Sequence, residues 1–138
     1  MRVSAKIDYA CRALLELGLH WPNKEPVCIS CIGANQKIPQ QFLNHILIHL
    51  KQLGYTQSIR GKKGGYLLAR PPHEIRLSDV LRDLGSVGYA LTEETNGRVL
   101  SDIWAEMEAV VMEAMAQITL EDIVNRQRKS AEAFIFNI

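Results

Sequence analysis

Residues 39–69 read PQQFLNHILIHLKQLGYTQSIRGKKGGYLLA, and this stretch decides the fold. Phe42, Leu43, Ile46, Leu47, Leu50 and Leu53 recur at steps of three and four, which predicts a helix with one core face. Its other side carries Gln41, Asn44, His45, Ile48 and Gln52. Gly54 stops the helix. Tyr55–Ile59 and Tyr66–Ala69 are β-prone, and Arg60-Gly61-Lys62-Lys63-Gly64-Gly65 joins them as a cationic, glycine-rich tip.

Upstream, a first helix is expected from about Ser4 to Leu19, capped by Ser4, with Ile7, Cys11, Leu14, Leu15 and Leu17 on its apolar side. Two prolines, Pro22 and Pro26, break the chain, and Pro26–Ile29 reads as extended. Ser30 is the expected cap of a short helix from about Cys31 to Gln36, and Pro39 suits the first position of the next helix. A short helix, a tight turn, a longer helix and a basic hairpin together predict a winged helix-turn-helix domain over residues 1–84.

Downstream, Ser78 is the expected cap of a helix from about Asp79 to Leu84, and residues 85–97 read as a loop. A long helix is expected from about Arg98 to Gln117. It has more apolar side than a small winged domain can cover, so it is expected to form a homodimer through Ile103, Trp104, Met107, Val111 and Met115. Thr119 and Asp122 resemble a capping box for a last helix, placing the dimerisation segment at 98–129 and an apolar-ended tail at 130–138. The fold class is mainly α with a small β-hairpin: a winged helix-turn-helix domain plus a long dimerisation helix.

The 138 residues suit one domain, or a domain with an oligomerisation arm. The apolar runs fall short of a membrane span, and Asp8, Arg12 and Glu16 make the N-terminal segment amphipathic rather than a signal peptide. A cytoplasmic protein is expected. The net charge of +1 hides an asymmetry: residues 1–76 carry +7 and residues 77–138 carry −6. The basic part suits phosphate contact. Gln41 and Asn44 can pair with adenine, and His45 can donate to guanine or a phosphate. Arg60, Lys62 and Lys63 would meet phosphates or a minor groove, while Gly64 and Gly65, with Tyr66 after them, would allow close approach.

Three cysteines, Cys11, Cys28 and Cys31, make no even disulfide framework and are expected to be reduced. Cys28 and Cys31 have C-x-x-C spacing, but no second pair for zinc and no thioredoxin-like pattern accompanies them. Cys31 is expected to point inward as a small apolar residue. His45 and His49, four apart, lack an obvious third metal ligand. No Walker loop, nucleophile elbow or dinucleotide fingerprint is present, so the chain does not read as an enzyme.

Several stretches resemble the Rrf-type bacterial winged-helix regulators. They are Met1-Arg2 with Lys6, Tyr9-Ala10, Phe42-Leu43 with Leu50, and above all Ser58-Ile59-Arg60-Gly61-Lys62-Lys63-Gly64-Gly65-Tyr66-Leu67-Leu68. Ile75, Leu77, Asp79-Val80, Trp104 and Ile118–Val124 support it. The resemblance implies a homodimeric repressor or activator on a pseudo-palindromic DNA operator. It assigns DNA contact to Arg60 and to the positions of Gln41, Asn44 and His45, whose types differ from those of the iron–sulfur repressor and so imply another operator.

Cluster-binding relatives carry three cysteines before the long helix, whereas Gly85–Ser101 holds none here. No cofactor is therefore predicted; an iron–sulfur cluster is implied only by the family. Asp8 matches a helix-one carboxylate that ligates the cluster in the nitric-oxide sensor. Two alternatives remain: a module that binds a metabolic enzyme or other protein partner, as the cysteine-metabolism repressor does, or a thiol redox sensor through Cys28 and Cys31.

Overall fold

The computed structural model describes residues 3–85 and 99–137. Helix α1 (Ala5–His20) begins where Ser4 Oγ accepts the Ile7 N–H at 3.3 Å. It buries Ile7, Ala10, Ala13, Leu14 and Leu17. Helices α2 (Ile29–Gln36) and α3 (Gln40–Gln52) both pack against it. The turn between them places Lys37 in the left-handed region (φ 55°) and buries Ile38. Helix α3 buries Leu43, Ile46, Leu47 and Leu50, each stabilising the fold by about 1.5–3 kcal/mol relative to exposure. Gly54, at φ 87°, turns the chain out of α3.

Strands β1 (Thr56–Ile59) and β2 (Gly65–Leu68) form an antiparallel hairpin in which Thr56 faces Leu68 and Ile59 faces Gly65. Val27 adds a third rung on the other edge: its N–H donates to the Tyr66 carbonyl, and Tyr66 N–H donates back, each at 2.9 Å. A 3-10 turn (Pro72–Glu74) leads to α4 (Leu77–Asp83). The chain continues with α5 (Val99–Ala116) and α6 (Leu120–Phe136). Backbone bonds from Leu77 N–H to Ile118 O and from Leu120 N–H to Ile75 O, at 2.9 and 2.8 Å, fasten the α5–α6 corner beside α4. Helix α6 lies on α1 at Gly18, where an added Cβ would come within 2.7 Å of Val124 Cγ2. No helix among the described residues is long and apolar enough to cross a membrane.

The mainly α architecture with its hairpin is as expected, and several details differ. Helix α2 starts at Ile29 with Cys28, not Ser30, as its cap, because the Cys28 sulfur accepts the Cys31 N–H. Pro39 sits just outside α3 in an extended conformation. Helix α4 starts at Leu77, so Ser78 lies buried within it rather than capping it. The capping box is present, with Thr119 N–H donating to Asp122 at 2.9 Å, but α6 continues to Phe136. The expected tail from 130 is thus mostly helix, since residues 130–136 contain neither glycine nor proline. Phe42, expected in the core, is 52% exposed. Cys28 and Cys31 are joined by a disulfide, and Cys31 points outward. Both follow from the cap: placing Cys28 at the helix entry aims the side chain three residues on back towards it. The loop expected at 85–97 lies, beyond Gly85, outside the described residues.

Tyr55 ties the start of the hairpin to α4. Its hydroxyl donates to Asp83 at 2.5 Å, and the Arg70 guanidinium stands 4.5 Å from its ring centroid. Burial first, and then Asp83, push this hydroxyl up to about 12, with Arg70 pulling the other way. The folded value exceeds the ordinary value of 10.0, so the proton's stabilising contribution is complete below that pH and is lost as pH rises towards about 12. We expect the melting temperature to fall across that interval. In Tyr55→Phe, thermal unfolding followed by circular dichroism should show a shallower decline.

Candidate nucleic-acid interface

The stripe of α3 opposite its buried face exposes Gln41, Asn44, His45 and Ile48. Amides at 41 and 44 and the imidazole at 45 therefore project from one rigid helix, each one turn or less from the next. On one flank, Lys6 and Tyr9 of α1 face Phe42, His45 and His49 across a groove of about 430 Å³. On the other flank, Lys51 Nζ donates to Ser58 Oγ at 2.8 Å, and Thr56 Oγ1 donates to the Leu47 carbonyl at 3.5 Å. These two bonds fix the hairpin beside the end of α3.

Arg60, Lys62 and Lys63 are exposed at the hairpin tip. Ile29, Ser30 and Gln40 line a cleft of about 440 Å³ together with Arg60, Gly61 and Gly64. The structure thus brings Gln41, Asn44 and His45 onto one surface with a cationic tip nearby. Such a surface can present hydrogen-bonding groups to base edges and positive charge to phosphates.

The remaining expected contact residues have a different place. Tyr66 borders the cleft but is buried, and its backbone is fully paired with Val27. It supports the wing from within. Gly64 and Gly65 are half-buried where the turn enters β2. A Cβ on Gly64 would overlap the Ile59 carbonyl oxygen, and one on Gly65 would overlap the Val27 carbonyl oxygen. Their small size lets the protein's own backbone segments approach closely here.

Two features were not singled out from the sequence. Lys51 continues the exposed run 41–44–48 on α3, and that spacing was visible. Glu16 is buried, and it accepts from Asn35 Nδ2 at 2.7 Å and Gln36 Nε2 at 2.9 Å, with His20 Nε2 at 3.4 Å. It holds the end of α2, and hence the turn into α3, against α1. Its position three residues after Ala13 on the buried side was the available signal. Arg12 reinforces this by donating to the Gln36 carbonyl at 3.2 Å while pairing with Asp8 at 2.7 Å.

That pair engages Asp8, the carboxylate at the cluster-ligand position. Of the thiols, Cys28 and Cys31 are disulfide-bonded, and the Cys11 thiol is pushed up to about 11, first by burial and then by Asp8. A thiolate-held iron–sulfur cluster needs several ionised thiols together, and this donor set does not fit one. On α5, Ile103 and Met107 are exposed, whereas Met115 is buried in the chain's own core and Val111 leans on it. Met115 belongs to intramolecular packing, because the corner fastened to α4 turns that end of α5 inward.

Residues 3–126 match the Rrf2 family, described as an iron-dependent transcriptional regulator. The transcriptional regulator IscR of Photorhabdus laumondii is 30% identical over 92% of this chain and 81% of its own length. The regulator CymR of Bacillus subtilis is 27% identical over the whole of both chains. Among solved structures, T. potens IscR superposes with a TM-score of 0.79 at 28% identity, covering 94% of this chain and 90% of that one. CymR of B. subtilis, described as the global cysteine regulator, superposes at 0.78 with 25% identity, covering 91% and 98%.

The crowding at Gly65 gives a direct test of how the wing is held. Gly65→Ala should lower the unfolding free energy by roughly 1–3 kcal/mol in urea titration, because the Val27 rung must shift. An unchanged midpoint would show that the rung is not needed.

Proposed function

The chain belongs to the Rrf2 family of transcriptional regulators, and on that premise we propose that it binds a pseudo-palindromic DNA operator as a cytoplasmic homodimer. The observation that carries this reading is that Gln41, Asn44 and His45 are exposed along α3, whose first residue, Gln40, lines one cleft with Arg60 of the basic turn. In this reading α3 enters the major groove, with Gln41, Asn44 and His45 reading base edges. Arg60, Lys62 and Lys63 grip the backbone or the adjacent minor groove, and Lys6 lies on the opposite flank near phosphate. The basic charge of residues 1–76 gives binding a sequence-independent electrostatic part.

The dimer follows from α5. Ile103, Trp104 and Met107 line an exposed apolar strip, with Val99, Leu100 and Val110 exposed on the same helix. A second copy packed there would bury the strip and set two α3 helices on one face of the duplex. Half-sites would then lie about one helical turn, roughly 34–36 Å, apart.

Genome-wide selection of fragments bound by the purified protein would supply the operator for a fluorescence-anisotropy titration. Arg60→Ala should weaken operator binding by roughly tenfold and flatten its salt dependence. Unchanged affinity at moderate salt would remove the wing from the interface. For the dimer, sedimentation should give twice the chain mass for the wild type and a shift towards monomer for Ile103→Asp. A concentration-independent monomer mass in the wild type would end the dimer reading.

A further inference from the structure

We propose that Cys28 and Cys31 form a thiol–disulfide exchange site whose oxidation state sets the affinity of the winged helix for DNA. This inference rests on the DNA-binding function proposed above and adds a point of control to it. The two sulfurs are bonded across the first turn of α2. Cys31 is exposed and Cys28 half-exposed, so an external thiol can reach the bond. The Cys28 sulfur accepts the Cys31 N–H at 3.2 Å and lies 3.3 Å from Ser30 Oγ. Cys11, on α1, is apart from this pair and half-buried against the core.

The location couples the pair to the interface. Cys28 directly follows Val27, the residue that holds β2 through Tyr66. Gly65 presses on the same point, its missing Cβ lying 3.0 Å from the Cys28 nitrogen. Ile29 and Ser30, enclosed between the two cysteines, line the same cleft as Arg60 and Gly61. A change in the first turn of α2 therefore reaches both the wing's anchor and the cleft.

The chemistry is two-electron exchange with an external dithiol. A thiolate of the reductant attacks the exposed Cys31 sulfur, the Cys28–Cys31 bond breaks, and Cys28 leaves as a thiolate. The second thiol of the reductant then attacks the mixed disulfide. It loses its proton to solvent, releases Cys31 as a thiolate that takes up a proton, and departs with its partner sulfur as a disulfide. The reductant is oxidised by two electrons and the cysteine pair is reduced by two. Cys28 is the better leaving group, because a helix N-terminus and the Cys31 N–H favour an anionic sulfur there.

Reduction opens the cross-link and leaves the first turn of α2, which borders the cleft at Ile29 and Ser30, less constrained. The disulfide form is the tighter DNA binder.

The test uses the full chain equilibrated with oxidised or reduced dithiothreitol and titrated against the selected operator fragment, with thiols alkylated and weighed in parallel. Oxidised protein should show one alkylatable cysteine, Cys11, and reduced protein all three. The oxidised form should bind roughly three- to tenfold more tightly, an effect the size of one phosphate contact. Cys31→Ser should bind alike under both conditions, and Cys11→Ser should keep the response, with circular dichroism confirming that both fold. Equal affinity in the two states, tighter binding when reduced, or three alkylatable cysteines after oxidation overturns the inference and leaves the DNA-binding reading standing. No preference for any fragment over random DNA in either state overturns both.

Discussion

The backbone pair between Val27 and Tyr66 is the constraint on which the interface depends. A two-stranded hairpin is marginal by itself in water. Here the hairpin gains a third rung from the segment that enters α2, through two hydrogen bonds of 2.9 Å. That rung can form only because Gly65 has no side chain to collide with the Val27 carbonyl. The wing is therefore held along β2 close to its turn, where Arg60, Lys62 and Lys63 are exposed. The bonds from Lys51 to Ser58 and from Thr56 to Leu47 brace the other strand against α3.

A second brace acts on the helix-turn-helix itself. Burying a carboxylate is costly unless it is hydrogen-bonded, and Glu16 meets that condition with the two side-chain amides that close α2. The bonds are directional, so they register α2 on α1 in a way that apolar packing alone does not. Arg12 caps the same end of α2 through the Gln36 carbonyl. Helix α3 thus emerges from a turn held at both sides: Ile38 buried beneath it and Glu16 beside it.

Much of this was legible in the chain. Apolar spacing located α1, α3 and α5, the Thr119–Asp122 capping box marked the start of α6, and the glycine-rich basic run marked the hairpin, because each pattern is local. The exposed stripe Gln41–Asn44–His45 was legible for the same reason: helical periodicity separates a buried from an open side. Short elements were less legible. Whether Cys28 or Ser30 caps α2 turns on whether the Cys31 N–H finds the Cys28 sulfur or an N–H further along finds the Ser30 hydroxyl, and both residue types accept such a bond. The extension of α6 to Phe136 was missed because nothing local stops it.

By itself, the sequence determined the order of the elements, the polar stripe on α3, the cationic tip and the absence of cysteines between Gly85 and Ser101. These are properties of neighbouring residues, and a linear reading can see them. Only the tertiary structure decided that Tyr66 and Gly65 join β2 to the Val27 segment and that Gly64 closes against the hairpin's own backbone. It likewise turned Met115 inward, engaged Asp8 with Arg12, and set Cys28 and Cys31 in one bond beside the cleft. Each of these depends on what a distant part of the chain brings near, or on the direction a side chain takes once its backbone is fixed.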